Sequence, residues 1–150
     1  MEIQQRRAIL PDMTHPHPTA ILESALYADD LEAAESFYTT VMGLAVIART
    51  EGRHVFFKLA SGILLVFNPH ATRIPTGNPD IPVPTHGATG PGHLCFAATR
   101  SEIDTWRDHL TEHSIPIEAE FDWPNGARSL YFRDPAGNSL EIAEPRLWSF

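Results

Sequence analysis

Two ungapped stretches of the chain, Arg53-His54-Val55-Phe56-Phe57-Lys58-Leu59-Ala60-Ser61-Gly62 and Arg128-Ser129-Leu130-Tyr131-Phe132-Arg133-Asp134-Pro135-Ala136-Gly137, repeat one another 75 positions apart. The arginine, the second aromatic, the basic residue and the final glycine recur in step, which is the mark of one supersecondary unit used twice. Upstream, each copy has a short apolar run followed by a helical pattern: Leu22 to Ala28 with Leu31 to Met42, and His93 to Ala98 with Ile103 to Leu110. There the offset is nearer 70, so the second copy gains about five residues between helix and hairpin, placed in Phe121 to Ala127. A period this long fits one duplicated module rather than a solenoid. Duplicated halves meet at a seam, and ligand sites often form at such seams.

In the first copy, Leu22 to Ala28 alternates as a strand, and Asp30 stands at an N-cap position before Leu31, Ala34, Tyr38 and Val41. Spacings of three and four put those four on one helical face, and Gly43 stops the helix. Strands follow at Ala45 to Arg49, His54 to Leu59 and Ile63 to Phe67. In the second copy, Ser101 with Asp104 has the capping-box spacing ahead of Ile103, Trp106 and Leu110; strands follow at Ile115 to Glu120, Ser129 to Arg133 and Ser139 to Ala143. Asp134-Pro135-Ala136-Gly137 is a turn, because proline presets φ and glycine tolerates φ above zero. The order gives an α+β chain of two βαβββ modules, with helices on the outer face of a cupped, mostly antiparallel mixed sheet. Residues 1–20 read as an arm, 21–69 as the first module, 70–91 as a proline-rich linker, 92–145 as the second module and 146–150 as a tail. The linker is long for a plain connection and could cover a site.

Strand parity separates the helix-packed face from the other. Leu22, Ser24 and Leu26 oppose Glu23, Ala25 and Tyr27; Leu94, Phe96 and Ala98 oppose His93, Cys95 and Ala97; Leu140 and Ile142 oppose Ser139, Glu141 and Ala143. Each strand thus places one ionisable residue among small neighbours on its second face. One histidine with two carboxylates suits a divalent ion with positions left open, so Glu23, His93 and Glu141 are the candidate ligands. At the 75-residue offset Glu141 corresponds to Val66, which cannot ligate, so the expected shell has three protein ligands. Arg53, His54, Arg128 and Tyr131 lie on the hairpin strands, placed either to orient an anionic substrate or to pair across the hairpins. Phe67 and Trp123, with Phe56 and Tyr131, offer stacking surfaces or core.

Eleven basic residues against nineteen acidic give a net charge of -8, which argues against a nucleic-acid partner. No apolar run approaches 18 residues and Met1 to Pro18 lacks a signal-peptide core, so no membrane partner and a cytoplasmic location are expected. A single cysteine, Cys95, excludes an internal disulfide framework and fits a reducing compartment.

From Ile21 to Pro145 the chain resembles the vicinal oxygen chelate superfamily, which includes glyoxalase I, fosfomycin-resistance thiol transferases, extradiol catechol dioxygenases and metal-free bleomycin-resistance proteins. The residues that carry the likeness are Tyr27-Ala28-Asp29-Asp30-Leu31 with Phe37-Tyr38 and Gly43-Leu44, then Gly92-His93-Leu94-Cys95-Phe96, and above all Phe132-Arg133-Asp134-Pro135-Ala136-Gly137-Asn138-Ser139-Leu140-Glu141. The resemblance implies metal ligands on the first and last strands of each module, carried over to Glu23, His93 and Glu141. It implies one divalent ion per site (zinc, nickel, cobalt, manganese or iron), a small oxygenated substrate that chelates it, and a homodimer. Glutamate 141 is the proton-shuttling base on this reading, with Glu23 second. Several family members have histidine where this chain has Glu23, which counts against extradiol cleavage. The alternative class is a metal-free protein that sequesters a small molecule, as bleomycin-resistance proteins do.

Overall fold

The computed structural model describes Thr14 and residues 16–148. Most of the expected arm and the last two residues of the tail lie outside the described residues. The first module runs β1 (Glu23–Tyr27), α1 (Leu31–Thr40), β2 (Ala45–Thr50), β3 (His54–Lys58) and β4 (Ile63–Phe67). A short α2 (Pro69–Thr72) opens the linker. The second module repeats the order as β5 (His93–Ala97), α3 (Arg100–Glu112), β6 (Ala119–Asp122), β7 (Arg128–Arg133) and β8 (Ser139–Ala143), followed by a 3₁₀ turn at Pro145–Trp148. The sheets have the orders β1-β4-β3-β2 and β5-β8-β7-β6. In each, the outer strands of the module, β1 with β4 and β5 with β8, pair parallel and the other neighbours pair antiparallel.

One core serves both modules. Phe37 and Tyr38 of α1 pack with Leu26, Phe57, Leu64 and Val66 of the first sheet and with Leu130, Phe132, Leu140 and Ile142 of the second, and Ile103 and Leu110 of α3 join the same cluster. The Phe37 ring lies 6.4 Å from Phe132 and the Tyr38 ring 5.3 Å from Phe57, so α1 touches both sheets. Burial of side chains this size contributes roughly 1.5–3 kcal/mol each. Their strand neighbours of opposite parity are thereby turned to the other face.

Two local expectations are corrected. The capping box of α3 is Thr99 with Glu102, not Ser101 with Asp104: the Thr99 hydroxyl accepts from the Glu102 N–H and the Glu102 carboxylate accepts from the Thr99 N–H. The strand placed at Ile115 to Glu120 is β6 at Ala119–Asp122. Pro116 has no N–H for a ladder, and Ile115 and Ile117 pack against the core instead. The second copy is longer, but only two of the extra residues lie in the expected stretch, where the β6–β7 connection, 123–127, exceeds the β2–β3 connection, 51–53. The others are carried by α3, with 13 residues against 10 for α1, and by the α3–β6 connection, 113–118 against 41–44.

The modules are joined by a polar knot at the 134–138 turn. Asn138 donates through Nδ2 to Asp134 Oδ2 at 2.9 Å and to the Tyr27 carbonyl at 3.1 Å, and its Oδ1 accepts from the Gly92 N–H at 2.8 Å. A Cβ on Gly92 would stand 3.1 Å from a Leu26 methyl and 3.3 Å from Asn138 Oδ1, so a side chain there would require these two groups to give way by a few tenths of an ångström. Gly137 takes φ 84°, which closes the turn. Among the described residues no helix is long and apolar enough to cross a membrane.

Candidate functional site

On the second sheet, register aligns Cys95, Glu141 and Tyr131 in one row and His93, Ser139 and Arg133 in the next. Leu140 and Ile142 point into the core, so Glu141 points to the opposite face, where it is only 5% exposed. A buried carboxylate needs partners. Ser129 donates its hydroxyl to Glu141 Oε1 at 2.6 Å and in turn accepts from the Trp123 indole N–H at 2.8 Å. The other oxygen, Oε2, lies 3.3 Å from His93 Nε2. His93 Nδ1 lies 3.0 Å from the Ser139 carbonyl, an acceptor that draws the ring proton to Nδ1. A bare nitrogen lone pair then faces a carboxylate oxygen, and either a second proton or a cation held by both satisfies it. These donors fit a divalent ion, and the hydrogen bond from the far side of the histidine is the kind of support that metal-binding imidazoles have.

The neighbours of this pair hold their protons. The Cys95 thiol is pushed up to about 12 by burial and by the adjacent Glu141 carboxylate, so it is not a nucleophile near neutrality. Burial, and then the Glu141 carboxylate, raise the Tyr131 phenol well above its ordinary value.

On the first sheet the corresponding face reads, row by row, Glu23, Ile63 and Lys58; Ala25, Leu65 and Phe56; Tyr27, Phe67 and His54. Glu23 pairs with Ile63 as His93 pairs with Ser139, so these two occupy equivalent places. The counterpart of Glu141 is Leu65 rather than Val66, because the β7–β8 turn, 134–138, has one residue more than the β3–β4 turn, 59–62. Val66 is wholly buried in the core. Leu65 offers no donor either, so the position remains without a ligand.

The structure therefore brings His93 and Glu141 together and puts Glu23 on the other sheet. Among the described residues no three His, Cys, Asp or Glu gather within the chain in a group that could hold a metal ion. Arg53 donates from Nη1 to the Ala71 carbonyl at 2.9 Å, and Arg128 pairs across the hairpin with Asp122, Nε to Oδ1 at 2.9 Å. Both arginines are thus engaged in holding the framework. His54 stacks on Phe56 at 4.1 Å, and burial, with Arg53 nearby, lowers its pKa. Phe67 sits between Phe56 at 5.2 Å and the linker residue His86 at 4.6 Å. Trp123 packs against Ala127, Ala143 and Leu147 while its indole holds Ser129. Parity on β7 could have shown Ser129 beside Glu141; nothing periodic in the linker marks His86. A cleft of about 490 Å³ lies between the linker and the 134–138 turn, lined by Tyr27, Asp29, His70, Thr89 and Pro135, away from the His93–Glu141 pair.

The glyoxalase/bleomycin resistance protein/dioxygenase superfamily profile matches residues 17–142. No curated protein matches the chain. Among solved structures, a lactoylglutathione lyase from Agrobacterium tumefaciens is 48% identical, with TM-score 0.85, covering 89% of this chain and 98% of that one. A glyoxalase/bleomycin resistance protein/dioxygenase from Nocardioides is 28% identical, with TM-score 0.69, over 88% of this chain and 87% of that one. An integron cassette protein from the mobile metagenome of a Halifax Harbour sewage outfall, 21% identical over 85% of this chain and 99% of that one, with TM-score 0.68, shares the fold. With the doubled βαβββ architecture and a family match over most of its length, the chain belongs to the glyoxalase/bleomycin resistance protein/dioxygenase superfamily.

Proposed function

We propose that the protein is a divalent-metal-dependent enzyme of the glyoxalase-like type, acting on a small substrate that offers two neighbouring oxygens. The observation that carries this reading is the His93–Glu141 pair, Nε2 standing 3.3 Å from a buried carboxylate oxygen with hydrogen-bonded support behind each residue. The 48% identity to a lactoylglutathione lyase favours proton transfer over the other chemistries of the superfamily. Glu23 completes the shell, and since it lies on the first sheet, a second copy of the chain supplies it in a two-fold homodimer. A bound ion would supply Lewis acidity toward the substrate oxygens.

The chain's own residues handle the proton. Glu141 takes it from the carbon next to the substrate carbonyl through Oε2, which must first be free of any ion shared with His93, while the Ser129 hydroxyl holds Oε1 and fixes the carboxylate plane. Cys95 and Tyr131 keep their own protons and do not compete for the role.

Elemental analysis of untagged protein tests the reading, together with His93→Ala. One ion per chain, lost in the variant with the fold retained by circular dichroism, is the expected result. Full metal content in His93→Ala would remove the site, and absence of metal from wild type after exposure to each candidate ion would favour a binding protein. The hemithioacetal of methylglyoxal and glutathione is the first substrate to assay.

A further inference from the structure

The geometry points to a distal substrate subsite at the far end of the first sheet, in which the linker residue His86 donates a ring N–H to the substrate beside a floor of aromatic rings. This rests on the reading of Glu23 as part of the reacting end of the site.

Glu23 and Tyr27 lie on the same face of β1, four residues apart, which is about 13 Å along an extended strand. Between them the face is apolar: Ala25 is small and exposed, and Phe56, half-buried, and Leu65, buried, lie across from it. At the Tyr27 end the rings gather around Phe67, with Phe56 at 5.2 Å, His54 at 6.0 Å, Tyr27 at 6.2 Å and His86 at 4.6 Å. These five side chains are each partly exposed. Stacking of a flat group on such rings is a recurrent use of half-buried aromatics.

His86 is held in place from three directions. Its backbone N–H donates to the Thr72 carbonyl at 3.1 Å, its Nδ1 lies 2.8 Å from the Tyr27 hydroxyl, and its ring stands at 77° to Phe67. With the Tyr27 phenol as the donor to Nδ1, the imidazole carries a proton on Nε2. That N–H has no partner among the described residues. A linker that served only to connect the modules would not need a ring fixed by three contacts over a sheet face.

The chemistry expected of the occupant follows. Arg53 and Arg128 are both taken up by framework contacts, while the Arg73 side chain runs past Gly87, next to His86. A flat, apolar group bearing a hydrogen-bond acceptor fits, joined to the oxygen-bearing head by a spacer long enough to cross the Ala25 row.

Naphthalene carboxamide is a suitable probe, since it is flat, uncharged and carries an acceptor, and it reports on this end alone. Titration into ¹⁵N-histidine-labelled protein, with and without metal, should shift the His86 Nε2–H resonance. His86→Phe keeps a ring but removes the donor and should weaken binding about three- to tenfold, while His86→Gln restores an N–H and much of the affinity. His93→Ala, on the other sheet, should bind the probe as wild type does while losing metal. Absence of probe binding, or equal binding by His86→Phe, overturns the subsite. Metal uptake is scored separately: wild type that shows the His86 shift but takes up no divalent ion would sink the metal-enzyme reading and leave the subsite standing.

Discussion

The Tyr38 hydroxyl donates to Asp134 Oδ2 at 2.7 Å inside the shared core, which ties the helix of the first module to the turn that aims β8 of the second. Asp134 spends its other oxygen on the Ala136 and Asn138 N–H groups, at 3.0 and 2.9 Å, so the turn and the helix are set by one carboxylate. The placement of Glu141 on β8 therefore depends on a residue from the other copy of the repeat.

Tyr38→Phe should cost about 1–3 kcal/mol, because a wholly buried hydrogen bond to a carboxylate is lost while the ring packing stays. Urea denaturation measures this directly. A midpoint equal to wild type would show that Asn138 alone satisfies Asp134.

The same contact predicts an alkaline limit to stability. Burial, and then the Asp134 charge, raise the Tyr38 phenol far above its ordinary value of 10.0. The unfolded chain releases that proton first, so the contribution is complete below pH 10 and is lost as the pH climbs above it. Unfolding free energy followed from pH 8 to 11 should fall by up to about 1.4 kcal/mol per pH unit at the upper end from this group. In Tyr38→Phe that component should vanish, leaving a shallower decline; identical slopes in the two proteins would assign the effect elsewhere.

Much of this was legible in the sequence. The hairpin repeat, the Asp30 cap, the parity of β1, β5 and β8 and the lengthened second copy are local patterns, and each element formed near where its pattern stood. What was hidden depended on small offsets. One extra residue in the 134–138 turn made Leu65, not Val66, the counterpart of Glu141, and an ungapped comparison has no means of seeing it. Pro116 displaced β6 because Ile115 and Ile117 had a better use in the core. The roles of Ser129 and His86 are tertiary: each is defined by a partner, Glu141 or Tyr27, that proximity in sequence does not suggest.

Whether Glu23 meets His93 and Glu141 across a subunit boundary can be decided by complementation. Glu23→Ala and His93→Ala should each be inactive alone. Mixed and refolded together, they should recover about a quarter of wild-type activity if sites are composite, because half the dimers are then mixed and each carries one intact site. Recovery of nothing, from variants that dimerise by light scattering, would place each site within a single chain.

The last expectation concerns the base. Glu141→Gln keeps an oxygen for the ion and a group that the Ser129 hydroxyl can contact, but an amide cannot take a proton. Turnover should fall about 10²- to 10⁴-fold at saturating metal, well beyond any loss of metal affinity. Ser129→Ala provides the contrast: Oε1 loses its donor and the carboxylate plane is freed, yet the base remains, so the loss should be smaller and the pH profile should move. A Glu141→Gln protein that holds its metal and keeps full rate would transfer the proton to Glu23, since it is the other carboxylate assigned to the site. Equal losses in the two variants would instead mean that Glu141 positions the ion without exchanging a proton.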